Sequence, residues 1–117
     1  WETHRILDSN IEVGATCVRV PVVNGHSESV HIKTSELVTL DSAKECLDEA
    51  KGVNLISGED RESYLTALEA NGTDPVHVGR LRVDLWSQNR LNFWVVADNL
   101  RKGAALNSIQ IAEILFS

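Results

Sequence analysis

The sequence predicts an α+β domain: a mainly antiparallel mixed sheet covered on one face by helices and closed by a C-terminal helix. Three observations predict it. Runs rich in β-branched residues recur along the chain, as at 15–23, 76–86 and 91–97. Turn chemistry such as Asn24-Gly25 separates some of them. Stretches with apolar residues at helical spacing lie between the others.

The elements follow in order. Thr3 to Leu7 reads as the tail of a helix ended by Asp8-Ser9-Asn10. Ala15 to Val23 reads as a strand, Asn24-Gly25 as a tight turn, and Val30 to Thr34 as the returning strand. Pro21 lacks an N–H, which places it at an edge or a bulge. Asp41-Ser42 is set to cap a helix whose stripe is Ala43, Cys46, Leu47 and Ala50, with Gly52 stopping it. Val53 to Ile56 reads as a short strand. Gly58 to Pro75 is polar and irregular, with a helical turn near Leu65 to Ala70. Val76 to Trp86 alternates as a long strand, Ser87 to Arg90 is a turn, and Leu91 to Ala97 is apolar enough for a central strand. Asp98 then caps a final helix reaching Phe116.

With 117 residues, 43% hydrophobic and 24% charged, the chain has the size and composition of one folded domain. A net charge of −6 disfavours general nucleic-acid binding but leaves room for a local basic site. Two cysteines, Cys17 and Cys46, are too few for a disulfide scaffold and point to a reducing, cytoplasmic setting. Both are expected in the core as small apolar side chains. No stretch has the apolar length of a membrane span. The opening Trp1-Glu2-Thr3-His4-Arg5 reads as the middle of an element, so the chain is expected to be a fragment. His4, His31 and His77 are scattered, and no metal site is predicted.

If Asn24-Gly25 closes a hairpin, Val23 faces His26, and Arg19 shares their side of the strand. Arg19 is four residue steps before Val23, so the Arg19 and His26 side chains would start about 13 Å apart, with space for a small molecule. An arginine fork suits a carboxylate, and an imidazole can move a proton near neutral pH. The plainer alternative is an arginine on a solvated face and a polar histidine after a turn. At the other end, Asp98-Asn99 opens a helix, where polar or anionic groups are favoured, and Gly103 would allow close approach. The plainer alternative there is a simple capped terminal helix.

Three segments carry a family resemblance. Residues 15–28, from Ala15 through Arg19 to Gly25-His26-Ser27-Glu28, resemble a signature of the aspartate-semialdehyde dehydrogenases. So do Val78-Gly79-Arg80-Leu81-Arg82 and the run from Phe93 through Asp98-Asn99-Leu100-Arg101-Lys102-Gly103-Ala104 to Glu113. The resemblance covers nearly the whole chain in order. It implies an enzyme that reduces β-aspartyl phosphate with NADPH to aspartate semialdehyde and phosphate, in the biosynthesis of lysine, methionine, threonine and isoleucine. It implies His26 as the acid/base, Arg19 as the clamp on the substrate carboxylate and Asn99 as the amide against the nicotinamide. It implies a homodimer or higher homo-oligomer, with residues 98–117 packing toward an NADP-binding domain.

The family's glycine-rich dinucleotide loop and its catalytic cysteine have no counterpart in this chain, and Cys17 occupies a different position. The fragment is therefore expected to be inactive alone and to bind NADP weakly. A non-catalytic dimerisation or binding module of the same fold is the alternative. A related reductase of acyl phosphates ranks below both, because of the His26 and Asp98-to-Ala105 motifs.

Overall fold

The computed structural model describes residues 1–58 and 64–117. Helix α1 (Glu2–Ile6) opens the chain and exposes nearly all of its surface. Four strands follow: β1 (His26–Lys33), β2 (Val53–Ile56), β3 (Val76–Val83) and β4 (Arg90–Ala97). They form one mixed sheet in the order β1-β4-β3-β2. β4 is central and antiparallel to both neighbours, and only β2 and β3 run parallel. This is the predicted fold class, with the apolar run at 91–97 in the central position the sequence assigns it.

The expected first hairpin does not form. Residues 15–23 join no ladder, and His26 pairs with Ala97 of β4 instead of Val23. Pro21 explains the break. Val22 N–H bonds back to Val20 C=O at 2.9 Å, so the proline sits at the centre of a three-residue turn. The freed edge of β4 then takes His26–Lys33.

Helix α2 (Leu40–Glu49) packs on β2 and β3. Its cap is Thr39 rather than Asp41-Ser42. The Thr39 hydroxyl accepts from Ser42 N–H, and Ser42 Oγ accepts from Thr39 N–H, a reciprocal capping box. Of the predicted stripe, Ala43 is buried and Leu47 and Ala50 half-buried, but Cys46 is exposed. Cys17 is exposed too, since its segment lies off the sheet. Neither thiol belongs to the core.

Helix α3 (Ala67–Ala70) is one turn, fixed by a second capping box between Thr66 and Glu69. The Thr66 hydroxyl, then its backbone, hold the Glu69 carboxyl below its ordinary range. Residues 59–63 of the predicted irregular segment lie outside the described residues. Leu65, Ala70 and Val96 form one cluster of the core, with Ile56, Ala67 and Trp94 against them, and Ala43, Val78 and Leu91 are buried as well. Trp94 Nε1–H donates to Leu65 C=O at 3.0 Å, so the indole both packs and tethers this segment. Behind it, buried His77 lies between Asn54 Nδ2 at 3.0 Å and the Thr73 hydroxyl at 2.8 Å. That hydroxyl donates to Ala70 C=O, so it accepts from His77 Nε2–H, and Nδ1 accepts from Asn54.

β3 ends at Val83, three residues short of the predicted Trp86, because Asp84 takes the Trp86 N–H with its carboxylate and turns the chain. Leu85 and Trp86 stand exposed in that turn. A bulge sets Arg80 and Leu81 against Phe93, with Arg80 at φ +57° and its guanidinium 5.1 Å from the Tyr64 ring centre. After β4 the chain enters a π-helical turn (Arg101–Ala105) and then α4 (Leu106–Phe116). No residue of α4 is buried, and Ile109, Ile111, Ile114, Leu115 and Phe116 are exposed.

Leu65→Ala is expected to cost about 2 to 5 kcal/mol, because it empties the centre of a small core. Thr39→Ala is expected to cost about 1 kcal/mol through loss of the cap. Chemical denaturation of the two variants ranks them, and an equal or reversed order would contradict this account of the core.

Candidate functional site

The site grows from the end of the central strand. Asp98 follows the last residue of β4 and is 3% exposed. Its Oδ1 accepts from Leu100 N–H at 2.9 Å and Arg101 N–H at 3.3 Å, which caps the C-terminal helical segment as the sequence predicts. Its Oδ2 accepts from Gly72 N–H at 2.8 Å and Asn24 Nδ2 at 3.1 Å. One carboxylate thus joins the helix start, the loop after α3 and the turn before β1. Asn24 Nδ2 also donates to Asn71 Oδ1 at 2.6 Å.

These bonds, led by the one from Gly72 N–H, hold the Asp98 carboxyl below its ordinary range, although burial opposes them. Asp98 and the two asparagines are the residues that sequence reasoning missed as a unit. Their signal was the pair of Asn-Gly dipeptides at 24–25 and 71–72, which here meet across the carboxylate.

Asn99 completes the junction. Its Oδ1 accepts from Gly25 N–H at 2.9 Å. Gly25 has φ +104°, and a Cβ there would lie 2.8 Å from Ala67 Cβ. The turn therefore needs glycine for both its conformation and its clearance. His26, next in the chain, begins β1 and is exposed. Its Nε2 lies 2.9 Å from Glu28 Oε1. Glu28 escaped the sequence reading, though alternation along a strand puts residues 26 and 28 on one face.

The structure therefore joins two of the three predicted residues, Asn99 and His26, through Gly25. Arg19 is different. It is exposed in the run before Pro21, and among the described residues it has no side-chain hydrogen bond or ion pair. The hairpin that was to put it on one face with His26 does not form. Gly103 also lies against no neighbouring backbone: a Cβ there would meet only Asn99 Cβ, at an ordinary 3.7 Å.

Beside the turn is a cavity of about 220 Å³ lined by Val22, Val23, Asn24, Ala67, Leu68 and Asn71. Its walls are apolar with two amides. An imidazole paired with a carboxylate and an amide at a helix start can move a proton and orient a polar ligand. Among the described residues, no group of three or more His, Cys, Asp or Glu side chains could hold a metal ion.

The sequence model described as "Semialdehyde dehydrogenase, dimerisation domain" matches residues 1–102. The chain belongs to this family. Curated relatives named aspartate-semialdehyde dehydrogenase include that of Shewanella violacea, 52% identical over 117 residues, and that of Aquifex aeolicus, 47% identical over 116. Each match takes in 98% of this chain and 34% of the relative, so the chain spans about a third of their length. Among solved structures, aspartate semialdehyde dehydrogenase II from Vibrio cholerae, described as complexed with ASA, superposes with a TM-score of 0.89. It is 45% identical, over 98% of this chain and 34% of that one. The Francisella tularensis aspartate semialdehyde dehydrogenase has a TM-score of 0.81 at 28% identity, over 97% of this chain and 33% of its own. Among the described residues no helix is long and apolar enough to cross a membrane.

Asp98 gives a signed prediction. A lowered carboxyl pKa adds stability that is complete above the unfolded value of about 3.9 and is lost as pH falls through the folded value. Asp98→Asn should therefore be less stable than the parent at pH 6, and the gap should close as pH falls below about 4. Denaturant midpoints of both proteins across this range test it. A gap that stayed constant to pH 3 would show that the charge of Asp98 is not what stabilises the junction.

Proposed function

We propose that residues 1–117 are the C-terminal catalytic and dimerisation part of an aspartate-semialdehyde dehydrogenase, with 98–117 turned toward an NADP-binding domain. The observation that carries this reading is the bond between Asn99 Oδ1 and Gly25 N–H, which joins the helix start to the histidine strand in a member of this family. The whole protein's reaction is then formation of aspartate semialdehyde and phosphate from β-aspartyl phosphate with NADPH. Its place is the cytoplasmic biosynthesis of aspartate-derived amino acids. A homodimer or higher homo-oligomer accords with the family's description as a dimerisation domain. A net charge of −6 argues against nucleic acid as a partner.

Each residue's task follows from its atoms. With His26 Nε2–H donating to Glu28, Nδ1 is the ring atom left to take and return a proton. Glu28 steadies the ring through that bond. Arg19 contributes a fork for the substrate carboxylate once substrate is bound. Asn99 uses its carbonyl on Gly25, leaving its NH₂ group as the donor for the nicotinamide side of NADP. That one amide fits a single contact with the cofactor, which when bound supplies the hydride. The nucleophilic cysteine and the dinucleotide loop belong to the family's other segments, so the 117-residue chain alone is expected to be inactive. A second reading, a dimerisation module without catalysis, draws on the same family description.

The first test is the reverse reaction, aspartate semialdehyde plus phosphate plus NADP, on this chain and on a protein joining it to the upstream part of a relative. Activity is expected only in the joined protein. NADPH formation by the chain alone would instead make Cys17 or Cys46 a nucleophile. In the joined protein, His26→Ala should lower kcat by about 100-fold or more with cofactor binding retained. Full activity of that variant would remove the proposed acid/base. Arg19→Lys should mainly raise the KM for substrate, because an ammonium cannot make the two parallel bonds. Unchanged kinetics would dismiss the carboxylate clamp.

A further inference from the structure

At the far end of the sheet, three strands bring basic residues together in a chain of net charge −6. Lys33 on β1 is directly opposite Arg90 on β4. One step inward, His31 pairs with Asn92, and Asn92 pairs with Arg82 on β3. Alternation places Lys33, His31, Arg90, Asn92 and Arg82 on the same face. Like charges directly opposite one another destabilise a sheet. Among the described residues, Lys33, Arg82 and Arg90 have no ion-pair partner. Among the described residues the cluster has one carboxylate, Asp84, and it is turned to the protein: it accepts from Trp86 N–H at 2.9 Å and Asn92 Nδ2 at 3.4 Å. Among the described residues, three fixed positive charges thus face a single negative one.

The cluster is also oriented. His31 Nδ1 is 2.6 Å from Asn92 Oδ1, an acceptor, so it is the donor there and Nε2 faces outward. Arg82 Nη1 donates to Arg80 C=O at 2.8 Å, which holds its guanidinium beside the bulge. Arg82, Asp84, Trp86 and Asn92 help line an open cleft of about 390 Å³. A sheet that keeps repelling cations together, with an imidazole and a guanidinium held in place, matches a small anion of at least two negative charges.

We infer that Lys33, Arg90, Arg82 and His31 form a binding site for a phosphoryl anion, either inorganic phosphate or a phosphomonoester. It is separate from the junction at His26. Lys33 lies seven residue steps along β1 from His26, about 24 Å at strand rise, so one small ligand cannot reach both.

The test is a residue-resolved NMR titration of the 117-residue chain with inorganic phosphate, at an ionic strength held constant with chloride. Saturable shifts are expected at His31, Lys33, Arg82 and Arg90. Lys33→Ser/Arg90→Ser should weaken binding by at least about tenfold. Lys33→Ser alone, on an exposed edge side chain, should weaken it in the same direction, which guards against misfolding of the double variant. Lys44→Ser, which removes a charge from α2, should leave affinity unchanged. Parallel titration with glycerol 3-phosphate distinguishes the sources. Tighter inorganic phosphate assigns the site to the free ion and the reverse order to a phosphomonoester, and either order supports the site. Shifts confined to His26 and its neighbours, no difference from chloride, or equal weakening by Lys44→Ser would overturn the inference.

Discussion

The structure depends on one buried carboxylate. Asp98 accepts four hydrogen bonds from three separate stretches of chain, residues 24, 72 and 100–101. None of these stretches could be held by apolar packing alone. The turn at 24–25 and the loop at 71–72 are polar, and the helical segment starting at Arg101 has no buried residue over its length. An ionised acceptor offers lone pairs in several directions, so it can organise backbone donors that no ladder reaches. The place where strand β4 ends thereby becomes the place where the amide of Asn99 and the imidazole of His26 are positioned.

Much of the fold was legible because its strands carry strong local signals. Val53–Ile56 and the central 90–97 strand follow from β-branched and apolar runs between turn residues, whereas Gly52 does not stop α2: the helix ends at Glu49 with an extended Ala50, and Gly52, at φ +77°, serves the turn into β2. What failed was pairing. Asn24-Gly25 reads as the tip of a hairpin, but sequence spacing carries no knowledge of a better partner 70 residues away. β4 offers His26–Lys33 a complete eight-residue register. Pro21 had already announced the cost of the local alternative. Cap positions and strand ends slipped by a few residues for a similar reason: Thr39 and Asp84 satisfy backbone donors with their side chains, and such bonds are set by local geometry rather than residue order.

The site shows the same division. Two residues selected by motif and alternation, His26 and Asn99, lie at one junction, and the atom that joins them is a backbone N–H that no motif displays. Arg19 was tied to His26 by an argument about a paired strand. Without that strand, its case rests on the family's pattern at this position. The basic cluster at the other end of the sheet was hidden differently. Lys33 lies far in sequence from Arg82 and Arg90, and strand register alone brings the three side by side.

The π-helical turn at Arg101–Ala105 has its own consequence. Ala105 N–H bonds to Leu100 C=O, five residues back, so this ring encloses one residue more than an α-helical ring. The surplus residue sits in a segment with no buried side chain. Loss of a single residue here can be absorbed by closing the ring to ordinary α geometry, with Leu106–Phe116 still presenting the same sides. A deletion inside α4 has no such slack and would rotate everything beyond it by about 100°. Natural length variation near the end of this chain should therefore gather in these five positions.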